Sequence, residues 1–264
     1  AERQEGGGAG ICRRDPFCCS FYGTAASTVT ITNCAFVGNR ADGIGSPGSA
    51  EGRVIYANTL KRLVIDDSLF LSNGCNLASS PLGNISGRDR GNGAVIYANG
   101  APLTMRGCDF RANRGPIRNQ TGGIIHLQNA SYPSAFTNCL FVGNANTYGE
   151  GTSDYATGNN KYPYGGTILV NYNSADGTCD LQNCTVAYNI SDAKFCGAGV
   201  QVVKGTLTAH DSIIYGNRVG PSSQAYGDIQ LWDDGSAALD YVRLTSDSSF
   251  GESSRSEEHT SELQ

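Results

Sequence analysis

Six copies of one short segment constrain what this chain can fold into. Thr32 to Asn39 reads T-N-C-A-F-V-G-N. Related segments close at Asn73 (D-D-S-L-F-L-S-N), Asn113 (G-C-D-F-R-A-N), Asn144 (N-C-L-F-V-G-N), Asn189 (N-C-T-V-A-Y-N) and Asn217 (D-S-I-I-Y-G-N). The closing asparagines are 34, 40, 31, 45 and 28 residues apart (73−39, 113−73, 144−113, 189−144, 217−189), so the unit is fixed while the connectors vary. Self-similarity at such spacings is the mark of a solenoid.

Three residues before each closing asparagine stand Phe36, Phe70, Phe110, Phe141, Val186 and Ile214. Five before it stand Cys34, Ser68, Cys108, Cys139, Cys184 and Ser212. A large and a small position two residues apart lie on one face of a strand, and a period of two excludes a helix there. Asn33, Asp67, Asn138, Asn183 and Asp211 would point outward or turn the corner. A second piece precedes the copies, glycine and then β-branched residues, as in Gly122-Gly-Ile-Ile-His-Leu127, Gly165-Gly-Thr-Ile-Leu-Val170 and Gly197-Ala-Gly-Val-Gln-Val202, with Gly6-Gly-Gly-Ala-Gly-Ile11 expected to begin the series. A third strand lies between the two, as in Thr28-Val-Thr-Ile31 and Leu103-Thr-Met105.

Three short strands per unit make one coil of a parallel β-helix, so the sequence predicts an all-β, right-handed parallel β-helix of about six to seven coils. Like residues would stack at about 4.8 Å. Asn39, Asn73, Asn113, Asn144, Asn189 and Asn217 would form an internal ladder, since a buried amide without a partner costs roughly 1 to 3 kcal/mol. Residues 1–250 are expected to form this single domain, with Cys12 to Tyr22 as a cap or truncated coil. Residues 251–264 are read as a tail, of which 255–264 resembles a translated sequencing adapter and is set aside. The start at Ala1, with neither methionine nor apolar leader, suggests a mature product or a fragment.

The formal net charge is −5, or −3 without the last ten residues, which carry one arginine and three glutamates. It gives no basic footprint for nucleic acid. No apolar run reaches 18 residues, so no helical membrane span is expected. The long connectors Arg40 to Glu51, Gly74 to Arg90 and Ala145 to Tyr164, with the short Arg114 to Thr121, leave one corner and should gather on one side. Tyr148, Tyr155, Tyr162 and Tyr164 punctuate the third, and tyrosines on a polar loop stack on sugars or anchor a protein partner.

The thiols at the inward position are expected to stay mostly unpaired, because parallel Cβ vectors suit a disulfide poorly. Cys12, Cys18, Cys19, Cys75, Cys179 and Cys196, placed at loops or ends, suggest pairing in an oxidising compartment. Asn84, Asn119 and Asn129 are the accessible glycosylation sequons. Scattered His126, His210 and His259 support no metal site, and no cofactor is implied. Asp66, Asp67, Asp109, Asp180 and Asp211 fall in different register positions, so no catalytic residue is assigned.

The glycine entries and Phe-x-x-Asn closures resemble the repeats of polymorphic outer-membrane proteins and autotransporter adhesin passengers. The last segments, Asp211 to Asn217 and Gly227 to Leu231, are similar to the final coil of secreted bacterial β-helix repeat proteins. The resemblance implies extracellular or cell-surface display and a non-enzymatic role as adhesin or filament building block. Its partners would be a surface or matrix protein, a polysaccharide, or another copy stacked end to end. The alternatives are a polysaccharide lyase or glycoside hydrolase of the pectate-lyase-like class, or a carbohydrate-binding module.

Overall fold

A computed structural model of the chain describes residues 11–13, 19–22, 26–39, 54–74, 95–119, 121–129, 133–147, 163–172, 177–191, 197–220, 226–246 and 250–252. Among these there is no helix; the secondary structure is strands in three sheets, almost all paired in parallel. Each repeat lies on its counterpart in the next, a solenoid-like stacking.

The closing segments build a seven-stranded sheet, the closing wall. Its strands, in sequence order, are Ile11–Arg13, Ala35–Val37, Leu69–Leu71, Asp109–Arg111, Leu140–Val142, Thr185–Ala187 and Ile213–Tyr215. The register aligns Phe36, Phe70, Phe110, Phe141, Val186 and Ile214 in one inward row. Successive phenylalanine rings stack with centroids 4.7, 4.2 and 5.1 Å apart.

The glycine-led strands and the middle strands form a 13-stranded sheet with two walls. The entry wall contains Cys19–Tyr22, Ile55–Asn58, Ile96–Asn99, Ile125–Gln128 and Ile168–Asn171. The middle wall contains Thr28–Thr32, Arg62–Asp66, Leu103–Arg106, Ser134–Thr137 and Thr178–Gln182. The long strands Val200–His210 and Ile229–Asp240 run through the corner and join the two walls. Earlier units turn that corner with Thr59, Gly100 and Asn129 at positive φ. In Val200–His210 the bend falls at Gly205, φ 111°, where a Cβ would sit 2.7 Å from the Gly177 carbonyl oxygen.

The corner before the closing wall is made by Asn33, Asp67, Gly107, Asn138, Asn183 and Asp211, all with φ between 48° and 60°. Asn, Asp and Gly are the residues that tolerate this left-handed conformation, and here they are the turn itself. The corner after it repeats the geometry at Gly38, Ser72, Ala112, Gly143, Tyr188 and Gly216.

Three expectations need correction. The register sets Ile11 against Ala35, so Ile11 belongs to the closing wall and the first described strand of the entry wall is Cys19–Tyr22; Gly6 to Gly10 lie outside the described residues. The connector Arg114 to Thr121 carries the strand Arg114–Asn119, which with Ala145–Thr147, Ile190–Ser191 and Arg218–Val219 forms a further parallel sheet. Cys179 lies at no loop but in Thr178–Gln182, buried in the core as a thiol.

Candidate functional site

The closing asparagines form a buried row. The Oδ1 of Asn73, Asn113, Asn144, Asn189 and Asn217 accepts both the backbone N–H and the Nδ2–H of the asparagine one layer earlier, at 2.8 to 3.1 Å. The second amide hydrogen of Asn73, Asn113, Asn144, Asn189 and Asn217 goes to the carbonyls of Phe36, Phe70, Phe110, Phe141 and Val186. The row ends on Asp228, whose Oδ1 accepts from Asn217 and whose Oδ2 accepts the Thr245 N–H at 2.8 Å. A carboxylate accepts without donating, so it terminates a row of amides that all donate toward it. Asp228 comes 11 residues after Asn217, too soon for the spacing of the copies to reveal it. The whole row is at most 6% exposed and serves as framework, not as contact surface.

The thiol position is likewise structural. Cys34 and Cys184 receive Ser68 and Ser212 as hydroxyl partners of their backbone N–H. The five cysteines whose side chains are described, Cys34, Cys108, Cys139, Cys179 and Cys184, are all thiols, not disulfides. Burial pushes the Cys179 thiol pKa up and keeps it protonated.

The entry wall is buried on both faces. Tyr56, Tyr97, His126, Leu169, Gln201 and Gln230 share the register position that faces away from the core row. All six are nevertheless at most 3% exposed. The Tyr97 ring stacks on Tyr56 at 5.3 Å and on His126 at 5.0 Å. Neither ring nitrogen of His126 has a hydrogen-bond partner, and burial pushes its pKa down from 6.5 to about 3. Among the described residues no group of three His, Cys, Asp or Glu could hold a metal ion.

Two of the open outer faces, those of the middle and closing walls, differ in chemistry. The middle wall presents threonines and charges. Arg62 donates to the Thr104 hydroxyl at 2.7 Å, and Thr208 to Asp180 at 2.7 Å. His210 lies 3.9 Å from Asp180 and 3.7 Å from Asp240, all three well exposed. Of the acidic candidates, Asp66 and Asp180 are on this wall, Asp109 is on the closing wall, and Asp67 and Asp211 are corner residues.

The closing wall presents apolar side chains instead. Its outward pairs are Ala35/Val37, Leu69/Leu71, Asp109/Arg111, Leu140/Val142, Thr185/Ala187 and Ile213/Tyr215. Among the outward residues named here only Asp109 and Arg111 are charged, and they satisfy each other through two contacts of 2.8 Å. At the C-terminal end Tyr188 packs edge-on against Tyr215 at 6.1 Å, and Arg243 sits 5.0 Å over the Tyr215 ring. Tyr188, Ile190, Ile213 and Tyr241 are 59%, 47%, 43% and 78% exposed, so the stripe widens there into an aromatic patch.

Of the tyrosines singled out by sequence, Tyr148, Tyr155 and Tyr162 lie outside the described residues. The backbone of Tyr164 pairs antiparallel with Arg118. Asn84 also lies outside them, and Asn119 ends a strand. Asn129 turns a corner and donates its side-chain N–H to Asn99 at 2.9 Å. The outer closing face escaped the repeat pattern because its residues vary between copies; the signal was apolar residues on both flanks of Phe36, Phe70 and Phe141. Comparison with protein-family models, with curated proteins and with solved structures finds no match to this chain.

Proposed function

We propose that the chain is a right-handed parallel β-helix of about six to seven coils, and that it acts outside the cell as a non-enzymatic surface adhesin or structural building block. The observation that supports this most is the outer face of the closing wall. A solenoid that only had to stay soluble would carry polar side chains there, as its middle wall does. Among outward positions whose side chains are described, this one carries nine apolar or aromatic residues in twelve, and contiguous apolar surface on a folded protein marks a site of interaction. Likeness to polymorphic outer-membrane and autotransporter passenger repeats agrees with that role.

Beads coated with the protein, scored for attachment to glass bearing matrix protein or acidic polysaccharide, test the reading. Attachment that is lost in a Leu71→Lys/Val142→Lys variant of unchanged melting temperature supports it. No attachment to either surface sinks it.

The Asp180, His210 and Asp240 group favours a second reading, a polysaccharide lyase or hydrolase. Product release from acidic polysaccharide, abolished by Asp180→Asn, would move the assignment there.

A further inference from the structure

We infer that the outer face of the closing wall takes a second copy of this chain, packed sheet against sheet. This rests on the adhesive reading of the same face and names its occupant. The face is self-complementary in charge. Among the residues whose side chains are described, its one charged pair, Asp109 and Arg111, stands two residues apart on one strand, with Leu69/Leu71 on the strand before it and Leu140/Val142 on the strand after. Within one copy the pair is bidentate, Arg111 Nε to Asp109 Oδ1 and Nη2 to Oδ2, both at 2.8 Å, so the pair itself carries no net charge into a contact.

Two sheets meeting face to face are related by a two-fold axis lying in the plane between them. If that axis ran along the strands, Asp109 would lie over Asp109 of the second copy and Arg111 over Arg111. If it runs along the stacking direction, each strand faces its own counterpart reversed. Asp109 then lies over Arg111 of the second copy, and Leu69, Leu140 and Ala35 lie over Leu71, Val142 and Val37. Only the second arrangement extends the ion pair into a four-membered network while burying the leucines. Like charges directly opposed would cost the first. The structure therefore selects two copies side by side, running in the same direction.

The stripe is about 29 Å long and about 10 Å wide from strand spacing and rise. Roughly 300 Å² per copy falls short of the roughly 800 Å² of a standard interface. The contact is accordingly weak and forms at high local concentration, as on a densely covered surface.

Sedimentation of the full chain across a concentration series tests this. The weight-average mass of the native protein rises with concentration. Asp109→Arg and Arg111→Asp, each shown folded by circular dichroism and melting, associate at least tenfold more weakly when alone. An equimolar mixture of the two regains the native behaviour, because the arginines of one meet the aspartates of the other. Leu69→Lys serves as the breaking variant if either charge variant does not fold. The inference is overturned by a native protein that stays monomeric throughout, by single variants that associate like the native chain, or by a mixture that does not recover. None of these results bears on bead attachment, so failure of the pairing and failure of the adhesive reading are separable.

Discussion

The middle and closing walls are built from the same short parallel strands on the same layer spacing, and their outward faces have opposite chemistry. On the middle wall the outward groups bond to one another along the stack, as Arg62 does with Thr104, Thr208 with Asp180, and Thr206 with Ser236 at 2.8 Å. That face is finished. On the closing wall the outward side chains are mostly leucine, valine, isoleucine and tyrosine, and Tyr215 is in contact with Tyr188 and Arg243 at one end. The inward faces of both walls are apolar and fully buried in the interior layers. Inward positions thus decide that the chain stacks, and outward positions decide what each wall is for.

The largest effect should come from breaking the frame that holds the closing face flat. Asn144→Ala leaves the Asn113 N–H and Nδ2–H, the Asn189 Oδ1 and the Phe110 carbonyl short of partners. At roughly 1 to 3 kcal/mol per orphaned group, a loss of about 4 kcal/mol or outright unfolding is expected in urea denaturation. A native-like midpoint would show that the row contributes little.

Next comes the entry wall, where the frame is imperfect. His126 is buried as the neutral ring, with its pKa down from 6.5 to about 3. Above pH 6.5 neither state binds the proton and stability is unaffected by this group. Below it the unfolded chain takes up a proton that the folded chain refuses, so stability falls through the window from 6.5 to about 3 and then levels. At pH 5 the loss is about 2 kcal/mol, taking 1.36 kcal/mol per pH unit. His126→Leu should flatten that slope; an unchanged pH profile would place the acid sensitivity elsewhere.

A smaller, favourable effect belongs to the corner after the closing strands. Ala112 holds φ 52° where Gly38, Gly143 and Gly216 stand in other copies. Ala112→Gly should stabilise by about 1 kcal/mol, raising the melting temperature by about 2 to 4 °C. The smallest stability effects are on the two outer faces themselves. Leu71→Lys and Ala135→Lys should each shift stability by no more than about 0.5 kcal/mol, yet only the first should weaken attachment to coated surfaces.

Much of this was legible in the sequence, for a physical reason. Parallel stacking puts like residues over like, so a row that must be filled by Phe or bonded by Asn repeats visibly, and Phe36 to Phe141 and Asn39 to Asn217 announce themselves. A position that only has to face outward repeats nothing, and the closing face runs Ala35, Leu69, Asp109, Leu140, Thr185, Ile213 with no common residue. Asp228 stayed hidden because a shorter path reaches the ladder position and because a terminator needs an acceptor, not an amide. The double burial of Tyr56, Tyr97 and His126 stayed hidden because alternation along a strand reads as one buried face. Cys12, aligned with Phe36, carries no closing asparagine in the usual place.

The most direct test of the account is whether the folded protein offers an open apolar face on the closing wall and not on the middle wall. Anilinonaphthalene sulfonate fluorescence reports this on native protein. The account predicts enhanced emission that is lost in Leu71→Lys/Val142→Lys and kept in Ala135→Lys/Ala238→Lys, with all three proteins melting alike. No enhancement with the native chain, or equal loss from both variants, would contradict it.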